Sequence, residues 1–363
     1  TAFIIASTTS THYFTVCKTA LMPALIFYFF LAYAAQLKAL KNDIPLPKEE
    51  NNVNLLQTFK EDGYIFLSVV VLVYCLAIYM PPAIAAFNAI ISLFLLFAIK
   101  RFLVRREIGP FIKDMYKFFI KSFSLGAKQG TKIGLILSGL GIMVELFVVT
   151  GFAQKISFQM IELSGGILII MLALIGITCI IFGMGLPTVG TYMVVSVLAA
   201  PSLVKLGIPL LTAHMFVFYY GLMAMVTPPV GVGAIIATGL AESNYLKTAI
   251  MATKLALPGF ILPFMFVYRP AILWMNVTIF EAFITFVFVL TGFVCLISIL
   301  ERYFFTRLNI LEMLIMAISC YLLWSSVNWR SLIGLILFAI ISVFQHRKRK
   351  RLILNVDKLY REK

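Results

Sequence analysis

Charge is scarce in this chain. Only 12% of its 363 residues are Asp, Glu, Lys or Arg, whereas 62% are hydrophobic; a soluble domain is about 45–50% apolar, so that class is excluded and an integral membrane protein is indicated. Grouped reactive side chains are lacking too. Cys17, Cys75, Cys179, Cys295 and Cys320 lie in apolar runs without paired spacing, which argues against a disulfide framework or a metal site and leaves them as small packing residues. No Ser/His/Asp, paired-carboxylate or Cys/His grouping has catalytic spacing, so neither enzyme chemistry nor an organic cofactor is expected. There is no signal peptide, and the chain opens on Thr1 inside an apolar segment, so the natural protein is expected to begin upstream. The net charge of +15 would suggest nucleic acid as a partner in a soluble protein. Here Lys and Arg gather between the apolar runs, as the positive-inside bias places them, and the expected partner is membrane lipid, with no nucleic acid.

What is present in quantity is apolar sequence long enough to cross a bilayer, which takes about 20 residues per helix. Residues 1–16 are apolar with many hydroxyls, 20–35 form a transmembrane candidate, and a polar loop follows to Asp62. Tyr64 to Met80 and Ala83 to Ile99 read as two spans hinged at Pro81-Pro82, because proline lacks an amide donor and disfavours helix at the residue before it. Lys100 to Lys132 is rich in Lys and Arg with aromatic and aliphatic residues interleaved; it suits an amphipathic helix on the membrane surface, a solvated basic loop being the alternative. Further spans are expected at 133–150, 257–274, 279–300, 308–323 and 331–344.

Two interruptions stand out. Gly183-Met-Gly185-Leu-Pro187-Thr188-Val-Gly-Thr191 separates an apolar arm at 165–182 from a second arm, Thr191 to Ala200, that looks only about ten residues long before Pro201, short of a full crossing and so suited to a re-entrant hairpin. Thr227-Pro228-Pro229-Val-Gly231-Val-Gly233 splits a second run between 212–226 and 234–240. Broken backbone at membrane depth is tolerated only where protein or a water-filled cavity surrounds it, and paired Gly/Pro-interrupted segments point to a secondary transporter's binding site. Freed amides can face an anion and freed carbonyls a cation. With the hydroxyls of Thr188, Thr191 and Thr227 they make a hard-oxygen set that suits Na⁺. The glycines would serve these turns best if they needed positive φ. Kinks in ordinary packed helices remain the competing reading of both breaks.

GMGLPTVGTYMVVSVLAAPSL and AHMFVFYYGLMAMVTPPVGVGAIIATGLA resemble the second half of the large permease of tripartite ATP-independent periplasmic (TRAP) transporters, in the version with small and large membrane subunits fused. The resemblance covers nearly the whole chain and is most specific from Gly183 to Pro270. It implies an all-α polytopic membrane protein holding the second inverted repeat of an elevator-type carrier, in a bacterial or archaeal cytoplasmic (inner) membrane. The implied activity is Na⁺-driven uptake of a carboxylate-containing solute, such as a C4-dicarboxylate or other organic acid. The implied partners are a periplasmic substrate-binding protein and a small membrane subunit fused upstream. By segments, 1–35 would close a truncated first repeat with one transmembrane helix, 36–62 would be a cytoplasmic loop, 63–99 a scaffold hairpin and 100–132 the interfacial segment. Residues 133–274 would be the second transport repeat, with a re-entrant hairpin at 165–204 and a broken helix at 212–240, followed by transmembrane helices at 275–345 and a basic cytoplasmic tail at 346–363. The alternatives are a Na⁺/dicarboxylate-type carrier working without a binding protein and, because the first repeat is absent, a non-transporting scaffold.

The residues implied for Na⁺ are Gly183, Gly185, Pro187, Thr188, Thr191, Thr227, Pro228, Gly231 and Gly233. Three more could line a substrate path. Glu145 lies inside an apolar run, where a carboxylate suggests function, although it sits near enough to a span end to reach the interface. Arg269 could attract a carboxylate but equally could snorkel. His214 fits either packing or the solute path. Glu281, Glu301 and Arg302 lie at span ends and suit the interface.

The two most basic stretches, 100–132 and the tail from His346, should be cytoplasmic, which places 36–62 inside and Trp274, Trp324 and Trp329 at the outer interface. Impermeant thiol reagents applied to intact cells should therefore miss single cysteines introduced at Asn51, in 100–132 and after Phe344; strong labelling at Asn51 would overturn this topology.

Overall fold

The computed structural model describes residues 1–42, 63–105, 108–184, 186, 188–275 and 277–361. Most of the 36–62 loop thus lies outside the described residues, as do Gly185 and Pro187. Among the described residues every regular element is a helix, and seven helical segments, Tyr245–Tyr268 counted as one, are long and apolar enough to cross a membrane. The fold class is all-α and polytopic.

Two compact units are present, Thr1–Cys17 with Leu46–Phe152 and Lys18–Pro45 with Ala153–Lys363. The first holds α1 (Ala2–Thr8), the start of α2 (Tyr13–Lys41), and α3 (Tyr64–Ala77) packed on α4 (Pro82–Arg105) across the Pro81-Pro82 turn. It also holds α5 (Ile108–Val149), whose Phe118 stacks on Phe97 at 4.1 Å and whose Asp114 pairs with Arg101 at 2.6 Å. The expected division at 132/133, between an interfacial helix and a span, is absent: α5 is one helix of 42 residues. Gly126 and Gly130 cost about 1 kcal/mol each relative to alanine, and without a proline that does not stop a helix flanked by strong formers. Likewise α2 runs through Pro23 to Lys41 rather than ending at Ala35, because Gln36 to Lys41 is polar but contains good helix formers.

The second unit contains the rest of α2, whose Ile26, Phe30, Ala34 and Leu37 form a buried stripe at helical spacing. Then come α6 (Phe152–Ser164), α7 (Leu168–Gly183), α8 (Thr188–Lys205), α9 (Leu210–Met223), α10 (Val232–Ala241), α11 (Tyr245–Leu255) and α12 (Leu257–Tyr268). A 3₁₀ turn (Pro270–Leu273) leads to α13 (Ile279–Glu301), α14 (Ile310–Leu323) and α15 (Asn328–Arg361). Helix α9 is central, packing on α7, α8 and α12; Phe216 on α9, Tyr192 on α8 and Phe266 on α12 are fully buried. Helices α6 and α11 are not foreshadowed by the apolar pattern.

The second hairpin arm differs from expectation in a way that matters. Helix α8 continues through Pro201 to Lys205, 18 residues in all, so its length no longer distinguishes a re-entrant arm from a span. Proline removes one helical hydrogen bond and crowds the preceding turn. The carbonyl that it frees is that of Val197; one residue further on, the Ser157 hydroxyl of α6 donates to the Leu198 carbonyl at 3.1 Å, fastening α6 to this turn.

Charge is polarised along this unit. Lys254 and Lys41 reach Glu301 at 2.6 and 3.6 Å, and Lys348 reaches Glu312 at 3.1 Å, all where α13 ends and α14 begins. At the opposite end, Arg269 bonds to carbonyls of the α14–α15 turn, close to Trp274 and Trp329. Trp324, at the end of α14, makes inward contacts. Its indole is turned into the bundle, Nε1 donating to the Val289 carbonyl at 3.4 Å and the ring lying 5.0 Å from that of Phe293.

Candidate ion and solute site

The two breaks meet. At the end of α7, Gly183 approaches the second break so closely that a Cβ on it would lie 2.5 Å from the Ala224 Cβ and 2.7 Å from the Thr191 Cγ2. From the start of α8, the Thr188 hydroxyl donates to the Met225 Sδ at 3.0 Å. Thr191, fully buried, packs its methyl 3.2 Å from where a Cβ on Gly221 of α9 would stand. Small residues at Gly183, Gly221 and Ala224 are therefore what allow α7, α8 and α9 to converge here.

Within the second break the chain answers most of its own backbone groups. The Gly231 amide donates to the Thr227 carbonyl and the Gly233 amide to the Met225 carbonyl, both at 2.9 Å, and the Thr253 hydroxyl of α11, 2.9 Å from the Ala249 carbonyl of its own helix, also comes within 3.4 Å of the Val226 carbonyl. Tyr245, at the start of α11, donates to the Pro229 carbonyl at 2.8 Å, beside the cis Pro228-Pro229 bond. Thr227 is buried, and its hydroxyl donates back to the Met223 carbonyl at 3.0 Å. That leaves its oxygen lone pairs as acceptors, and each carbonyl keeps a second lone pair. Among the described residues no group of three or more His, Cys, Asp or Glu is placed to hold a metal, so a cation bound here would be coordinated by these neutral oxygens, the donor type that hard cations prefer.

The glycines act differently from the expectation of positive φ. Gly231 has φ −13° and ψ 83°, outside the left-handed region. Its requirement is steric, since a Cβ would lie 3.1 Å from the Thr227 carbonyl oxygen and 3.2 Å from the Val226 carbonyl carbon. Gly233 is similar, 3.3 Å from the Met225 oxygen. The glycines that do have positive φ are Gly151, Gly165, Gly166 and Gly207, all in turns between helices.

Of the three path candidates, His214 shares α9 with the residues leading into the second break. It is buried on α9, its Nδ1 2.8 Å from the Tyr192 hydroxyl of α8, about 13 Å along the helix axis from Met223 at 1.5 Å per residue. Arg269 is not snorkelling: it is buried and hydrogen-bonded to the turn after α14. Glu145 belongs to the other unit and is exposed on α5. Sequence reasoning passed over Gly221, Ala224, Met225, Tyr245 and Thr253. Only the small size of Gly221 and Ala224 hinted at close packing; the others are ordinary residues in apolar or turn segments.

A polytopic helical membrane protein with two interrupted helical segments packed break against break is thus the class that fold and site define. The family model of the Tripartite ATP-independent periplasmic transporter, DctM component, matches residues 1–303, and the chain belongs to that family. No individual curated protein and no solved structure matches it. Helices α14 and α15 lie beyond the matched residues.

Adding a methyl at the meeting point should loosen it. Gly183→Ala is expected to lower the stability of the detergent-solubilised permease by about 1–3 kcal/mol, the usual range for an overpacked interior. Gly239→Ala, inside α10 where a Cβ meets nothing within 4 Å, should not lower it and should raise it by up to about 1 kcal/mol through helix propensity. Thermal unfolding of both variants checks this, and equal melting temperatures would contradict the close approach.

Proposed function

We propose that this chain forms part of a TRAP permease that couples Na⁺ entry to the uptake of a carboxylate-containing solute across the cytoplasmic membrane. The solute is delivered by a periplasmic binding protein, a small membrane subunit completes the permease, and the transport repeat moves elevator-fashion. Family membership supports the transporter class. The observation that carries the finer reading is the meeting of the breaks, which gathers hydroxyl and carbonyl oxygens around the junction of α7, α8 and the α9–α10 interruption. In this reading the oxygens of Thr188, Thr227 and the 225–227 backbone hold Na⁺, which is cargo. The amide ends of α8 at Thr188 and α10 at Val232 present the positive end of the helix dipole to the solute carboxylate. A cation and an anion bound side by side would stabilise each other, which is how such a site couples the two.

The weak Thr188–thioether bond makes this hydroxyl the easier one to turn towards an ion, because sulfur is a poor acceptor. Thr227, already bonded to Met223, can contribute only as an acceptor. Thr188→Val and Thr227→Val keep the branched shape and remove one oxygen each. Each should weaken Na⁺ activation by about 5- to 150-fold, equivalent to about 1–3 kcal/mol for a lost buried polar contact, with near-normal expression. The assay is uptake by the complete permease with its binding protein in proteoliposomes across a Na⁺ titration. Unchanged Na⁺ dependence in both variants would remove the hydroxyls from the ion site.

A further inference from the structure

Arg269 is a buried cation surrounded by neutral groups. It is 6% exposed. The two N–H groups of Nη1 are shared among the Leu323 and Ser325 carbonyls at 3.1 and 2.7 Å and the Ser331 hydroxyl at 3.2 Å, while Nη2 reaches the Asn328 amide oxygen at 3.4 Å. Among the described residues no carboxylate lies within ion-pair distance of it. Buried charges are normally paired; neutral acceptors satisfy the donors but leave the charge. Arg269 also lines a cleft of about 480 Å³ between the 3₁₀ turn, the start of α13 and the turn before α15. Ile284 and Asn328 line this cleft and also an adjoining groove of about 340 Å³, whose other walls, including Phe283, Val287 and Leu332, are apolar. The Phe288 ring lies 5.5 Å from the guanidinium carbon, so a polar cleft lined by a cation with no ion-pair partner among the described residues adjoins an apolar groove between α13 and α15.

We propose that cleft and groove together bind one aminophospholipid, its phosphate against Arg269 and one acyl chain along the groove. A free anion would answer the charge but leave the groove unused; an uncharged apolar molecule would do the reverse. Glu281 lines the cleft, its carboxylate held by the Thr278 amide at 3.0 Å, and it suits a headgroup ammonium while disfavouring a headgroup that carries only negative charge. Trp329, 59% exposed and next to Asn328, is the type of residue that sits at headgroup depth.

Native mass spectrometry of the complete permease, delipidated and then titrated with phosphatidylethanolamine, phosphatidylglycerol or inorganic phosphate, tests this. Phosphatidylethanolamine should be retained best. Arg269→Gln should lose it, but that change also removes the caps on α14 and could unfold the bundle. Leu332→Trp is therefore the second variant: position 332 is half exposed, and the indole fills the groove without touching the Arg269 bonds. It should lower retention at least about fivefold, the factor for losing burial of little more than one methylene, with an unchanged circular dichroism melt. Equal retention by wild type and Leu332→Trp would overturn the proposal. So would a preference for phosphatidylglycerol, or inorganic phosphate stabilising the protein as well as the lipid does.

Discussion

An interrupted helix in an apolar surrounding must find a partner for each freed amide and carbonyl, because each one left bare costs several kcal/mol. The α9–α10 interruption meets that demand with two amide bonds to its own carbonyls, a hydroxyl from α11 and a tyrosine from the start of the same helix. Much of the second unit follows from it. Helix α11 stands where Thr253 and Tyr245 can reach the break. Gly183, Gly221 and Ala224 are small because α7 and α8 must come within van der Waals distance of it. A backbone satisfied in this way is rigid enough to hold its oxygens in place, yet each carbonyl keeps capacity for one more contact.

The parts of this arrangement that were legible in the sequence are those that break a pattern. Gly183 to Thr191 and Thr227 to Gly233 announce themselves because glycine, proline and threonine interrupt long apolar runs, and the helices on either side of the second break follow the expected limits closely. What stayed hidden was decided by tertiary contacts. Pro201 reads as a terminator, yet α8 continues through it to Lys205, packed on α7 and α9. The basic stretch before Lys132 reads as a separate element because charge suggests a surface, although nothing between Gly126 and Ile133 is able to end a helix. Gly231 looks like a residue chosen for positive φ, whereas its backbone is elsewhere and its constraint is the nearby Thr227 carbonyl. Met225 carries no signal at all, since a methionine in an apolar run is unremarkable until a threonine hydroxyl is found 3.0 Å from its sulfur.

Charge separates the two ends of the second unit. Lysines gather around Glu301 and Glu312 at one end, where they answer two carboxylates that are themselves buried and would be costly to leave unpaired. The opposite end carries one arginine withdrawn from water and fastened to the turn between α14 and α15. These last two helices lie beyond the residues that match the family, and Arg269 links them to the matched part. Gly292 and Gly334 also admit close contacts here, with Trp324 and with the α14 backbone respectively. The added hairpin is thus fitted to the bundle by the same device that brings the breaks together, small residues where backbones approach.

The central claim is that the two breaks form one locus, and distance in the membrane is its most direct measure. Cysteines replacing Thr188 and Met225 in an otherwise cysteine-free permease, within native membranes, should be joined rapidly by a short bifunctional thiol reagent. Cross-linking no faster than in mixtures of the two single-cysteine proteins would mean that the breaks do not meet, and the shared site would fall with them.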